Sequence, residues 1–209
     1  MLKYLKEFLG FKGPFLEEED PMKKFLIVGL GNIGDEYAET RHNIGFKILD
    51  ALGDQKELNF ETRKLGDVAL YKLKGRSIIC LKPSTYMNLS GKAVRYWMDK
   101  EKVPLENLLI ITDDINLPFG TLRLKTKGSD GGHNGLKDIQ QVLQTTNYNR
   151  FRFGVGADFG KGRQVEYVLG QWSEEESTRM KERLEKSVSL IESFVLSGVA
   201  GTMNQFNGA

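Results

Sequence analysis

One cysteine and two histidines are spread over 209 residues. A single thiol, Cys80, can form neither an internal disulfide nor a cysteine metal cluster. Its place in the apolar run Ile78-Ile79-Cys80-Leu81 reads as a buried, inert core position. With His42 and His133 as the only histidines, no histidine-rich metal site is expected. No apolar run is longer than Phe25–Val28, four residues against the roughly 20 that a membrane-crossing helix needs. No Gly-x-Ser-x-Gly occurs, so a serine nucleophile on a strand-to-helix elbow is not expected either. Charge of one sign is also scarce. Thirty Lys and Arg against 28 Asp and Glu leave a net charge of +2, which does not by itself announce a nucleic-acid binder. A chain this poor in cysteine fits a reducing, cytoplasmic setting by default.

What is present is a core and an uneven charge map. Forty per cent of the residues are hydrophobic, enough for one sizeable domain. Residues 1–22 hold three lysines and five acids, a net −2 that leaves +4 on the remainder. Within that remainder Arg123, Lys125, Lys127 and Lys137 lie close together in sequence, as do Arg150, Arg152, Lys161 and Arg163. Residues 1–21 read as an N-terminal extension. Leu2, Leu5, Phe8 and Leu9 make a short amphipathic pattern, followed by Gly13-Pro14 and the acidic run Glu17–Asp20, and Met22 reads as an alternative start. No long apolar core or small-residue cleavage site marks a secretory signal.

From 22 to 209 the pattern alternates. The apolar run Phe25–Val28 predicts a buried strand, and further strands are expected over 68–73, 77–81, 108–112, 121–124 and 151–155. Helical spacing appears at Ile44, Ile48, Leu49 and Leu52, and over 91–99 and 135–144. A long final helix is predicted from Ser173, with Glu176 completing a capping box and a stripe at Met180, Leu184, Val188, Ile191 and Val195. Strands that alternate with helices give an α/β class: one domain, a twisted mixed but mainly parallel sheet, flanked by helices.

Two glycine-rich segments invite a phosphate reading. Gly29-Leu30-Gly31-Asn32-Ile33-Gly34 matches a dinucleotide fingerprint, but that motif needs a helix to open at once onto the pyrophosphate. Here the acids Asp35 and Glu36 and a further stretch to Asn43 intervene, so the glycines are read as a tight strand exit that presents Asn32. The second segment, Lys125 to Leu136, carries two lysines and ends at Asn134, read as the N-cap of the helix that follows.

Chemistry-bearing residues gather in four segments that follow strands or open helices: Asn32, Tyr37 and His42; Lys82 to Gly91; Asp113-Asp114; and the lysine–glycine loop. In open α/β sheets ligands bind beyond the carboxyl ends of strands, where such segments converge. A histidine paired with a carboxylate can take a proton from water. Asparagine amides can stabilise a developing oxyanion without bringing charge. The expected chemistry is direct attack of water on a carbonyl.

These segments together resemble the bacterial peptidyl-tRNA hydrolase family. The resemblance rests on Val28–Asn32 with Tyr37 and Thr40-Arg41-His42-Asn43, then Lys82-Pro83-Ser84-Thr85-Tyr86-Met87-Asn88-Leu89-Ser90-Gly91. It continues through Asp113-Asp114, Leu117–Gly120, Gly131–Leu136 and Arg150–Gly156. It covers roughly 23–205 and implies that 22–209 is the catalytic domain. It implies hydrolysis of the ester between a peptide and the tRNA 3′ end, with no metal and no cofactor, by a cytoplasmic monomer. His42 would activate water, Asp113 would orient it, and Asn32 would help place the reacting group. Asn88 and Asn134 would hold the peptide backbone, with Met87 lining the site. Tyr37 would lie near the terminal nucleotide, and Lys125 and Arg152 would hold tRNA phosphate. His133 would serve as a structural hydrogen-bonding residue. The alternative is an RNA-binding relative of the same fold without catalysis. Thr112, Asn116 and Asp130 depart from the family pattern near the proposed carboxylate and in the loop.

Overall fold

The computed structural model describes residues 20–207. The features read in residues 1–19, including the amphipathic pattern and most of the acidic run, lie outside that range. Seven strands form one sheet: β1 (Lys24–Gly29), β2 (Glu61–Arg63), β3 (Gly66–Leu73), β4 (Arg76–Pro83), β5 (Leu108–Asp114), β6 (Leu122–Lys127) and β7 (Asn147–Gly154). The helices are α1 (Ile44–Lys56), α2 (Ser90–Glu101), α3 (Asn134–Leu143), α4 (Gln164–Val168) and α5 (Glu174–Phe206). The strand order is β2-β3-β4-β1-β5-β7-β6. The four central strands β4, β1, β5 and β7 run parallel, and antiparallel β2–β3 and β6 close the two edges.

Alternation along the central strands explains the layers. Phe25 and Ile27 of β1 pack with Leu109, Ile111, Phe151 and Phe153 beneath α1 and α5. Leu26 and Val28 face the other way and pack with Leu108 and Ile110 beneath Ala93, Val94 and Trp97 of α2 and Ile139 of α3. A central strand covered on both faces has no polar position to spare, which is why Phe25–Val28 is apolar without a break. Each fully buried Leu or Ile contributes about 1.5–3 kcal/mol.

The predicted helix start at Ser173 is observed with its capping box. The stripe is buried at Met180, Val188, Ile191 and Val195, while Leu184 is half-buried. The long helix breaks at Gly198, whose φ of 73° and ψ of 176° are not helical. Three features differ from the sequence reading. β2 is only three residues and α4 only five, too short to carry a period. β6 runs on to Lys127, so Lys125 and Lys127 sit on an edge strand and the loop begins at Gly128. The N-cap of α3 is His133, not Asn134, which is the first helical residue.

The first glycine motif has a structural use. A Cβ on Gly29 would lie 2.2 Å from the carbonyl oxygen of Gly45, and one on Gly45 would lie 2.3 Å from the Leu30 nitrogen. Two glycines therefore let the start of α1 touch the end of β1 backbone to backbone. That contact places the turn Arg41–Asn43, which leads into α1, at the carboxyl end of the sheet.

Candidate active site

His42 and Asp113 meet where α1 starts and β5 ends. His42 Nδ1 lies 2.9 Å from Asp113 Oδ1. Since a carboxylate can only accept, Nδ1 carries the proton, and Nε2 is left as the basic nitrogen. Burial, the largest influence, disfavours the imidazolium, but the charge of Asp113 and its hydrogen bond outweigh it and raise His42 above its ordinary value of 6.5. Burial also opposes ionisation of Asp113. The two histidines overcome this and hold the carboxyl well below the usual carboxylate range.

The second histidine has a defined part. His133 Nδ1 accepts hydrogen bonds from the backbone nitrogens of Gly135 at 3.1 Å and Leu136 at 3.3 Å, capping α3. Its ring proton therefore sits on Nε2, which donates to the same Asp113 Oδ1 at 2.9 Å. One carboxylate oxygen thus receives two imidazole N–H groups, and the rings lie 4.9 Å apart between centroids. This is the structural hydrogen-bonding role read for His133, and it also fixes the carboxylate that serves His42. One ring nitrogen from each histidine and one oxygen of Asp113 lie within 4.8 Å of one another. As they stand they form a closed hydrogen-bond network, since His133 Nδ1 is taken by backbone donors and the other contacts converge on one oxygen.

Asn32 is held on all sides. The Asn43 side chain accepts from Asn32 N and donates to Asn32 O, both at 2.9 Å, and Asn32 Oδ1 accepts from Met87 N at 2.8 Å. With Oδ1 spent, Asn32 offers its Nδ2 donors. Asn43 has no role in the sequence reading; its only signals are its place in the motif Thr40-Arg41-His42-Asn43 and directly before the helical spacing that starts at Ile44.

His42, Asp113 and Asn32 open onto a cleft of about 790 Å³, also lined by Met87, Asn88, Asn134, Lys125 and Arg152. Eight of the nine expected site residues therefore share one cleft. The ninth, Tyr37, is not brought to it: it is half-buried on the turn Asp35–Tyr37, where its carbonyl accepts from Thr40. Lys127, Tyr86, Val165 and Leu169 also line the cleft.

The cations divide by environment. Lys125 and Lys127 are exposed on β6. Arg152 is ion-paired with the buried Asp114. Arg150 is buried and donates to Ser129 O at 3.0 Å and Thr146 O at 2.5 Å, pinning the glycine loop to β7. The departures find plain explanations too. Asp130 Oδ1 accepts from Gly132 N at 2.8 Å and its carbonyl accepts from His133 N, so its charge builds the loop turn. Thr112 is buried, with Oγ1 donating to the Asp113 carbonyl, and Asn116 N donates to Asp114.

A base backed by a carboxylate, uncharged amide donors beside it and cations along one wall are the equipment of a hydrolase that uses water directly on an anionic substrate. The comparisons narrow this class. Residues 26–209 match the family described as peptidyl-tRNA hydrolase. The peptidyl-tRNA hydrolase of Bacteroides fragilis is 60% identical over 184 residues, 88% of this chain and 98% of that protein. That of Bacillus pumilus is 42% identical over 182 residues, 87% and 97% of the two chains. The crystal structure of peptidyl-tRNA hydrolase from Acinetobacter baumannii superposes with a TM-score of 0.84 at 35% identity, covering 91% of this chain and 98% of that one. The chain belongs to the peptidyl-tRNA hydrolase family.

Proposed function

We propose that the protein hydrolyses the ester joining a peptide, or an N-acylated amino acid, to the 3′ end of tRNA. The observation that carries this reading is the 2.9 Å contact of His42 Nδ1 with Asp113 at the base of a cleft walled by amides and cations. Water bound at His42 Nε2 gives up its proton and attacks the ester carbonyl, and the imidazolium is stabilised by Asp113. The carbonyl oxygen becomes an oxyanion, for which Asn32 Nδ2 is the held donor. Collapse expels the ribose 3′-oxygen, which takes the proton back from His42. The free peptide acid and tRNA leave. Asn88 and Asn134 engage the peptide backbone and Met87 lines its path. Lys125 and Arg152 contact phosphate, which positions the RNA without reading its sequence. Tyr37, off the cleft, would meet the terminal nucleotide only outside the cleft wall. The protein acts as a cytoplasmic monomer that binds tRNA, with residues 1–21 an appendage to the catalytic domain. Among the described residues no helix is long and apolar enough to cross a membrane.

The test is hydrolysis of N-acetyl-aminoacyl-tRNA without added cofactor. His42→Ala should lower kcat by about 10²–10⁴-fold while tRNA affinity stays within a few-fold; full turnover would remove His42 from the mechanism. Activity requires unprotonated His42, whose proton affinity is raised above the ordinary 6.5. Turnover should therefore fall as pH drops through a value above 6.5, and Asp113→Asn should move that limb to lower pH. An RNA-binding relative without catalysis would bind tRNA and show no hydrolysis in the same assay.

A further inference from the structure

The residue before His42 is buried deeper than any surface arginine need be. Arg41 is 9% exposed, and its ion-pair partner Glu176 lies 135 residues away at the first turn of α5. Arg41 Nη2 donates to Glu176 Oε2 at 2.7 Å, Nε to Oε1 at 3.4 Å, and Nη1 to the carbonyl of Gln171 at 2.6 Å. The guanidinium lies 4.4 Å over the Tyr167 ring and 5.6 Å from that of Trp172. The backbone follows the same path: Arg41 N donates to Gly170 O at 3.1 Å, and Thr40 bridges to Gln171. Glu176 Oε2 also accepts from Ser173 N at 2.7 Å, so the carboxylate that closes the capping box of α5 holds Arg41 as well.

Everything Arg41 grips belongs to the corner from α4 to α5. That corner carries Val165, Val168 and Leu169, which form part of the cleft lining. We propose that Arg41 is a positioning residue of the reaction: it locks the turn bearing His42 to the α4–α5 corner, so that base and cleft wall keep one spacing. Only a planar fork supplies this set of donors and a face for Tyr167; a lysine would keep the charge but lose the paired contacts and the stacking. The proposal rests on the reading of His42 as the base.

Arg41→Lys and Glu176→Gln, made in the full-length protein, test it. Hydrolysis of N-acetyl-aminoacyl-tRNA is followed across pH, alongside thermal denaturation. Well below its melting temperature, Arg41→Lys should lower kcat about 10- to 100-fold, the cost of small misplacements at a reacting centre. The acidic limb of kcat/KM should also move to lower pH. The groups facing His42 are Asp113 from β5 and His133 from the start of α3, and a loosened turn weakens the grip of Asp113 that raises His42. Glu176→Gln keeps the shape and removes the charge, so both effects should appear at smaller size; that variant carries the test if Arg41→Lys does not fold. Wild-type kcat and an unmoved acidic limb in the folded variants, with only a lowered melting temperature, would overturn the proposal and leave Arg41 a part of the fold. A turnover-competent His42→Ala would instead overturn the underlying reading of the base.

Discussion

The cleft at His42 has an amide lining and a cationic lining, and the two are built differently. Asn32 has its backbone clamped by Asn43 and its Oδ1 spent on Met87 N. Asn88 lies in the turn before α2, and Asn134 opens α3 directly after the histidine that caps it. Each amide is thus tied to a helix start packed on the sheet. Lys125 and Lys127 stand on an edge strand, exposed, on long side chains. Amides act through short, directional hydrogen bonds, so they must be placed to within tenths of an ångström. Cations act through a field that reaches about 8–10 Å at ordinary salt, so they need only be near. In the proposed mechanism the lining that does chemistry is uncharged and has Asn32 fixed by three hydrogen bonds, while the lining that gathers the substrate is charged and ends in the exposed Lys125 and Lys127.

The comparison breaks first, and most visibly, on the amide side. Asn32→Ala removes the held donor and should cost about 10²–10³-fold in kcat, as for other single oxyanion donors. It also leaves Met87 N without its partner, so the variant's melting temperature should be read with its rate. A kcat within two-fold of the parent would mean that the amide wall orients nothing at the reacting carbonyl. A smaller loss is expected at Asn134, exposed as the first residue of α3. An N-acylated substrate presents a neutral amide where free aminoacyl-tRNA presents a charged amine. Asn134→Ala should narrow the preference between them about ten-fold, the worth of one hydrogen bond. Ratios of kcat/KM on the two substrates measure it, and an unchanged ratio would assign that selectivity elsewhere.

How far the sequence reached follows the same division. The central strands, the helix starts and the capping box at Ser173 were legible because burial writes itself as periodicity and caps have a residue code. The meeting of His42 with Asp113 was legible because one opens a helix and the other ends an apolar strand, segments that an α/β sheet gathers at its carboxyl edge, and the family resemblance singled out the pair. His133 as cap was not, because the code for that position favours Ser, Thr, Asp and Asn, and the sequence offered Asn134 next door. The contacts of Asn43 with Asn32, Glu176 with Arg41 and Asp114 with Arg152 were missed for a different reason. A pairing across 11, 135 or 38 positions leaves no local pattern. The extension of β6 to Lys127 went unseen because the apolar alternation of Leu122 and Leu124 stops where burial stops, while the strand pairing continues.

The cationic wall yields the smallest effect and the sharpest contrast. Lys125 is exposed on β6, whereas Arg152 spends part of its charge on Asp114 and Arg150 is sequestered in the glycine loop. Lys125 and its neighbour Lys127 are therefore the cations with most to give to an incoming phosphate. Lys125→Gln should weaken tRNA binding only a few-fold near physiological salt, raising KM far more than it lowers kcat. It should also reduce the slope of log affinity against log salt by about 0.7–0.9, the signature of one lost phosphate contact. The two readouts separate a true contact from a general change of field, since removing a distant charge shifts affinity while leaving the count of released counterions almost unchanged. A full parental slope would move Lys125 off the RNA path and leave the amide wall without the cationic partner argued for it.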